Sequence, residues 1–253
     1  MNTNNIPQYK DNILKKIHSG ELYEAFSNLK EMASEVSDYF TLNKIDSLEE
    51  TYKYMISYAV DGSEDSERDK IYTQIKDDLS KLCFSLTKDI TAKNSTLLYY
   101  STYRYLKSNN KNIENLLASI AEQQSIIDLY NSQDSIDQSV SIQNRRKYDD
   151  ICSDLFKAIW VNELSSSNCT YLKNFFSNPK ADDSLLCLIA CALMLNCNNE
   201  FNENSATLLF DLYEFHKNKD SAIKILVCLL ITLYINSVKL INSHNITLRI
   251  QNL

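Results

Sequence analysis

The chain has 253 residues, 44% of them hydrophobic and 23% charged, the balance of a globular chain long enough for one large domain or two small ones. It contains only two glycines (Gly20, Gly62) and two prolines (Pro7, Pro179), so it is poor in the residue that supplies positive φ to β-turns, Rossmann domains and phosphate-cradling loops. A net charge of −7 argues against nucleic acid, and the one compact basic cluster, Arg145-Arg146-Lys147, sits beside Asp149 and Asp150.

The expectation is an all-α fold. A first helix pair flanks Gly20. Ile13, Leu14 and Ile17 form one stripe, and Leu22, Ala25, Phe26, Leu29, Met32, Ala33 and Val36 continue the helical spacing after the turn. The pattern G-x-L-x-E-A-F-x-x-L resembles the first helix of a tetratricopeptide hairpin. A longer helix is predicted from Thr41 to Val60, with Ile45, Leu48, Tyr52, Met55, Ile56 and Ala59 inward. It breaks at Asp61-Gly62, and Ser63 to Glu67 supply caps and acids suited to the next helix start. These acids do not form an EF-hand. Counted from Asp61, the required Gly and Glu positions hold Ser66 and Tyr72.

The next helix spans Glu67 to Ile90, with Ile71, Tyr72, Ile75, Leu79, Leu82, Cys83 and Leu86 as its core stripe. A Tyr-rich helix follows from Thr96 to Lys107, then another from Ile113 to Tyr130. Residues 131–144 are polar and read as a loop or frayed helix between two halves, 1–133 and 144–253. The second half opens with a helix from Arg145 to Leu164, carrying Ile151, Leu155, Phe156, Ile159 and Trp160.

That half contains an internal repeat. The run from Asp183 to Cys191 aligns with the run from Asp220 to Cys228, about 37 residues on, with Asp-Ser opening each. Asp183 and Asp220 are the expected helix N-caps, with the adjacent serines as alternatives. An Asn-Ser pair then precedes a second amphipathic segment in each copy: Leu208, Leu209, Leu212 and Phe215 in one, Ile246, Leu248, Ile250 and Leu253 in the other. A repeat of this length is the signature of stacked antiparallel helical hairpins, an α-α superhelix of tetratricopeptide or HEAT type. The chain stops at Leu253 inside the second helix of such a hairpin, so the expectation is the N-terminal part of a longer solenoid.

Several stretches carry a family resemblance: Thr51-Tyr52-Lys53-Tyr54-Met55 with Tyr58 and Gly62, then Asp65-x-x-Arg68-x-x-Ile71-Tyr72, then Leu155-Phe156-x-x-Ile159-Trp160. In this order the chain resembles the N-terminal region of large tetratricopeptide or helical-repeat proteins of Bacteroidetes bacteria. The resemblance implies a helical-repeat fold and no particular chemistry.

No reactive constellation stands out. Cys187 and Cys191 share a helix face and Cys197 follows, but no His accompanies them, and core packing explains apolar surroundings better than zinc. His18, His216 and His244 are isolated and read as surface or helix-end residues. The adjacent acids Glu49-Glu50, Asp77-Asp78 and Asp149-Asp150 point about 100° apart on a helix and read as solvated faces. No cofactor or metal is called for.

Tyr99, Tyr100, Tyr103 and Tyr105 are the candidate partner-binding surface, because Tyr combines an apolar ring with a polar tip. The start, MNTNNIPQYK, has no signal-peptide pattern. The most apolar runs, 185–195 and 225–235, are shorter than the ~20 residues of a membrane span. Seven cysteines, an odd number, read as reduced thiols in the cytoplasm. The expected function is a non-enzymatic scaffold binding a protein or peptide. The alternative is the sensing or assembly arm of a longer enzyme or regulator whose active domain lies beyond Leu253.

Overall fold

The computed structural model describes residues 6–60, 67–131, 138–178, 181–199, 201–216, 220–237 and 244–251. They are almost wholly helical, and no strand occurs among them. The expected helix break at Asp61-Gly62, residues 63–66, the Asn242-Ser243 pair, Pro179 and Leu253 lie outside the described residues, while Glu67 holds the N-cap position of the following helix without a side-chain capping bond. The chain folds as two compact units, Met1–Ser101 and Thr102–Leu253.

The first unit holds α1 (Ile6–Ser19), α2 (Leu22–Val36), α3 (Tyr39–Val60) and α4 (Arg68–Asn94). Helix α4 packs against α1, α2 and α3, while α2 also packs on α1 and α3. The stripes read from the sequence meet here: Ile13, Ile17, Phe26, Leu29, Ile45, Ile75, Leu79 and Leu86 are all fully buried. Tyr52 and Tyr72 close the cluster beside Phe26, with ring centroids 5.9 Å (Phe26–Tyr52) and 6.4 Å (Tyr52–Tyr72) apart. The inward set on α3 is shorter than its periodicity suggests. Ile56 is exposed, and the side chain of Ala59 lies outside the described residues.

Charge ties α2 to α3. Lys30 Nζ lies 2.5 Å from both Asp46 and Glu49, and Glu49 also pairs with Lys53 at 2.7 Å. Hydrogen bonds from Lys30 and Lys53 hold the Glu49 carboxyl below its ordinary value. Glu49 is therefore a bridging residue between helices, not part of a purely solvated face.

Turns in so glycine-poor a chain fall on other residues. Gly20, at φ 87°, ends α1 with Glu21 N–H donating to the Lys16 carbonyl. Ser37 and Asn110 occupy the same left-handed region at φ 57° and 49°, where a side chain normally costs about 1–2 kcal/mol.

The second unit contains α6 (Ile113–Asn131), α7 (Gln138–Val161), α8 (Ser166–Phe176), α9 (Asp183–Asn199), α10 (Glu203–His216), α11 (Ala222–Ile235) and α12 (His244–Ile250). The boundary between units falls inside α5 (Leu98–Ser108) rather than in the polar stretch 131–144, because α6 packs along α7 across that stretch. Residues 138–144 of the stretch are themselves helical.

The helices of this unit form two rows. In one, α7 packs on α9 and α9 on α11. In the other, α6 packs on α8, α8 on α10 and α10 on α12. Cross-contacts join α6 to α7, and α10 to α9 and α11. Helix α8 has no counterpart in the periodicity reading. Its local signals are the N-cap Ser165, whose side chain accepts from Asn168 N–H at 3.2 Å, and the buried pair Leu172 and Phe176 one turn apart.

The 37-residue alignment does not bring matching faces of α9 and α11 together. Cys191 and Cys228 face one another across α9 and α11, with Sγ atoms 3.8 Å apart. Residues that touch across a helix interface lie on opposite faces of their helices, so they are not equivalent positions of a stacked repeat. Four buried positions of α9 correspond to buried positions of α11 at 40 residues. Leu185, Ile189, Ala192 and Asn196 of α9 are buried, as are Ile225, Leu229, Thr232 and Asn236 of α11 (236 − 196). At α9 the cap moves by one residue: Asp182, not Asp183, accepts from Ser184 N–H at 3.1 Å. At α11 the alternative, Ser221, holds the N-cap position, without a capping bond.

Gly20 offers a test of the first unit. A Cβ there meets the Tyr72 hydroxyl at 2.9 Å, and the positive φ strains any other L-residue. Since Tyr72 can swing aside, the backbone dominates. Gly20→Ala is expected to lower unfolding stability by about 1–2 kcal/mol, read from the urea midpoint at unchanged slope.

Candidate functional site

The four tyrosines of α5 divide between the units, Tyr99 and Tyr100 in the first, Tyr103 and Tyr105 in the second. Each is already engaged within its unit. Tyr99 and Tyr100 pack edge to face at 5.1 Å, and Lys88 lies over the Tyr99 ring at 5.2 Å. Lys107 lies over Tyr103 at 5.9 Å. Tyr99, Tyr100 and Tyr103 are half-buried, and only Tyr105 is exposed.

Tyr105 belongs to a charged cluster. Lys111 and Lys157 lie over its ring at 5.2 and 5.4 Å. Both lysines pair with Asp154, which is buried on α7, Lys157 at 3.0 Å and Lys111 closer still. The Tyr105 hydroxyl accepts from Lys111 at 3.0 Å. Burial alone would raise the Asp154 carboxyl, but hydrogen bonds from Lys111 and Lys157 outweigh it and hold the group below its ordinary value of 3.8. The cluster fastens the α5–α6 connection to α7.

A second polar feature runs along the row α8–α10–α12. Asp211 is buried on α10 and uses both carboxylate oxygens. Oδ2 accepts from Lys173 of α8 at 2.9 Å, and Oδ1 from Arg249 of α12 at 2.6 Å. Arg249 also donates to the Thr207 carbonyl at 3.2 Å and lies over the Phe210 ring at 5.7 Å. Lys173, Asp211 and Arg249 are spaced 38 residues apart, the sequence separation of neighbouring helices in this row.

Beside this bridge opens a cleft of about 240 Å³ between α8 and α10, lined by Cys169, Thr170, Lys173, Asn204, Thr207, Leu208 and Asp211. It falls below the ~300–1,000 Å³ of small-molecule pockets, and suits one or two side chains of a larger partner. Sequence reading missed it because Lys173, Asp211 and Arg249 lie on three different helices, and α8 was not foreseen.

Six of the seven thiols are held in the protonated form by burial. Burial pushes Cys83 and Cys152 up to about 11 and Cys197 up to about 12, and raises Cys169 and Cys187. Burial and the neighbouring Cys191 also raise Cys228. His216 closes α10, with Nε2 against the Phe176 carbonyl at 2.8 Å. His18 is exposed, and the His244 side chain lies outside the described residues. Among the described residues no helix is long and apolar enough to cross a membrane.

No family model, curated protein or solved structure matches the chain.

The depressed Asp154 value fixes a pH dependence. Its folded-state value lies below its unfolded one, so its contribution is fully present above about 3.8 and is lost as pH falls through the folded value. Asp154→Asn is expected to cost about 1–3 kcal/mol at neutral pH. The gap between wild type and variant is expected to narrow as pH is lowered below 3.8. Urea unfolding of both proteins across the acid range measures this.

Proposed function

We propose that this chain is a non-enzymatic helical-repeat scaffold that binds a protein or peptide, with its second unit built as an α-α solenoid. One observation carries the reading: the two rows α7–α9–α11 and α6–α8–α10–α12, in which each helix packs on the next of its row. Neighbour-only packing is how repeat proteins gain length, and their rows expose extended faces for recognition. The first unit is different. There α4 packs on all three earlier helices, including α1, so that unit closes on itself.

The cleft between α8 and α10 is the contact point we assign to the partner. Its walls offer Thr170 and Thr207 as hydrogen-bonding groups, Leu208 as an apolar floor, and the Lys173–Asp211 pair as a polar rim. Such a mixture favours a peptide segment over an ionic ligand, because Asp211 already shares its charge with two cations. A cytoplasmic location fits seven cysteines that are all free.

Thr170 is exposed, so a large side chain there fills the cleft without disturbing the core. The tagged full chain is expected to recover a reproducible partner from lysate of its native host. Thr170→Arg is expected to abolish recovery with an unchanged circular dichroism spectrum and melting temperature. Failure of the wild-type chain to retain any reproducible partner, or equal recovery by both proteins, contradicts the proposal.

A further inference from the structure

Helix α11 carries one charged residue, Lys224, and is apolar nearly all round. One side of it is buried by α9 and α10 through Ile225, Cys228, Leu229 and Thr232. On the other side Ile223, Val227, Leu230, Ile231 and Tyr234 form a stripe at helical spacing, each exposed, from 39% at Ile231 to 84% at Tyr234. Large apolar side chains do not line up at i, i+4, i+7, i+8 and i+11 by surface chance.

The repeat register says what this stripe is. At the 40-residue offset, Val227, Leu230, Ile231 and Tyr234 correspond to Cys187, Ala190, Cys191 and Met194 of α9. Cys191 touches Cys228, and Lys224 acts on the Cys187 thiol, so this is the face by which α9 receives α11. The exposed stripe therefore continues an interface already present in the row. Among the described residues α11 is the last helix of that row.

We propose that the stripe is a self-association surface, occupied by α11 of a second copy of this chain in a two-fold dimer. Three observations choose this occupant. First, the five stripe residues are uncharged, and the one charge of the helix, Lys224, lies at the stripe's edge toward Cys187 of α9. Second, a head-to-tail arrangement would need an apolar face at the opposite end of the row. There α7 exposes Arg145, Arg146, Lys147, Asp149 and Asp150, which leaves the stripe as its own best complement. Third, the five residues together expose the equivalent of about three whole residues, roughly 600 Å² per copy. Doubled, this reaches the ~1,200 Å² lower bound of stable interfaces. The surface lies on the row opposite the α8–α10 cleft, so dimerisation and partner binding are independent claims.

Sedimentation velocity of the full chain tests the proposal. The wild type is expected to sediment at twice its 29.2 kDa mass, dissociating on dilution. Leu230→Asp with Tyr234→Asp is expected to raise the dissociation constant by more than about tenfold. Both positions are exposed in the single chain, so the helical circular dichroism spectrum is expected to persist. Leu248→Asp, an exposed apolar site on α12, is the control and is expected to leave the dimer intact. A photoreactive benzoylphenylalanine at position 234 is expected to crosslink to α11 of the second copy. A wild type that stays monomeric overturns the proposal, whether free in solution or bound to phosphatidylcholine vesicles through the stripe. A dimer that survives the double substitution, or crosslinks mapped elsewhere, overturns it equally.

Discussion

The second unit depends on how the end of α7 is closed. The last carbonyls of a helix have no partner within it, and burying them unsatisfied costs about 1–3 kcal/mol each. Asn196 of α9 supplies that partner. Its amide Nδ2 lies 2.9 Å from the Ile159 carbonyl, 3.2 Å from that of Trp160 and 2.8 Å from that of Asn162. Its Oδ1 accepts from Ser205 of α10 at 2.7 Å. One buried amide thus joins three helices and both rows. Because its acceptors and donor are fixed, it sets register where apolar packing alone would allow sliding.

Similar polar bridges recur along the unit. Asn204 donates to the Leu164 carbonyl at 3.1 Å, and His216 meets the Phe176 carbonyl. Asp211 joins α8 to α12 through Lys173 and Arg249. Each links a helix end or helix face to the corresponding part of the neighbouring hairpin. The rows are thereby held by repeated directional contacts over a continuous apolar core. The first unit uses a different solution, in which the long α4 buries the faces of three helices and Lys30 links α2 to α3.

The sequence made the helices legible because burial follows the 3.6-residue period. Ile13 and Ile17, the α2 stripe from Leu22 to Ala33, and Ile75 to Leu86 on α4 are buried as spacing predicts. Less was legible where tertiary contacts decide. Cys191 and Cys228 looked equivalent because identical residues align, yet they touch and so belong to opposite faces. Helix α8 escaped because it is short and only Leu172 and Phe176 of it are buried, too few to show a period. The local lysines over Tyr99, Tyr103 and Tyr105, and the Asp154 cluster beside Tyr105, were not legible in the tyrosine spacing of α5. The cleft and the Asp211 bridge needed the stacking of α8, α10 and α12 before their residues could be seen together.

If the Asn196 side chain holds α7, α9 and α10 in register, its loss must loosen all three helices at once. Native-state amide hydrogen exchange on Asn196→Ala tests this most directly. Protection is expected to fall together in α7, α9 and α10, by about 2 kcal/mol in opening free energy, with the first unit unaffected. Loss of protection confined to α9, or no loss at all, would contradict it.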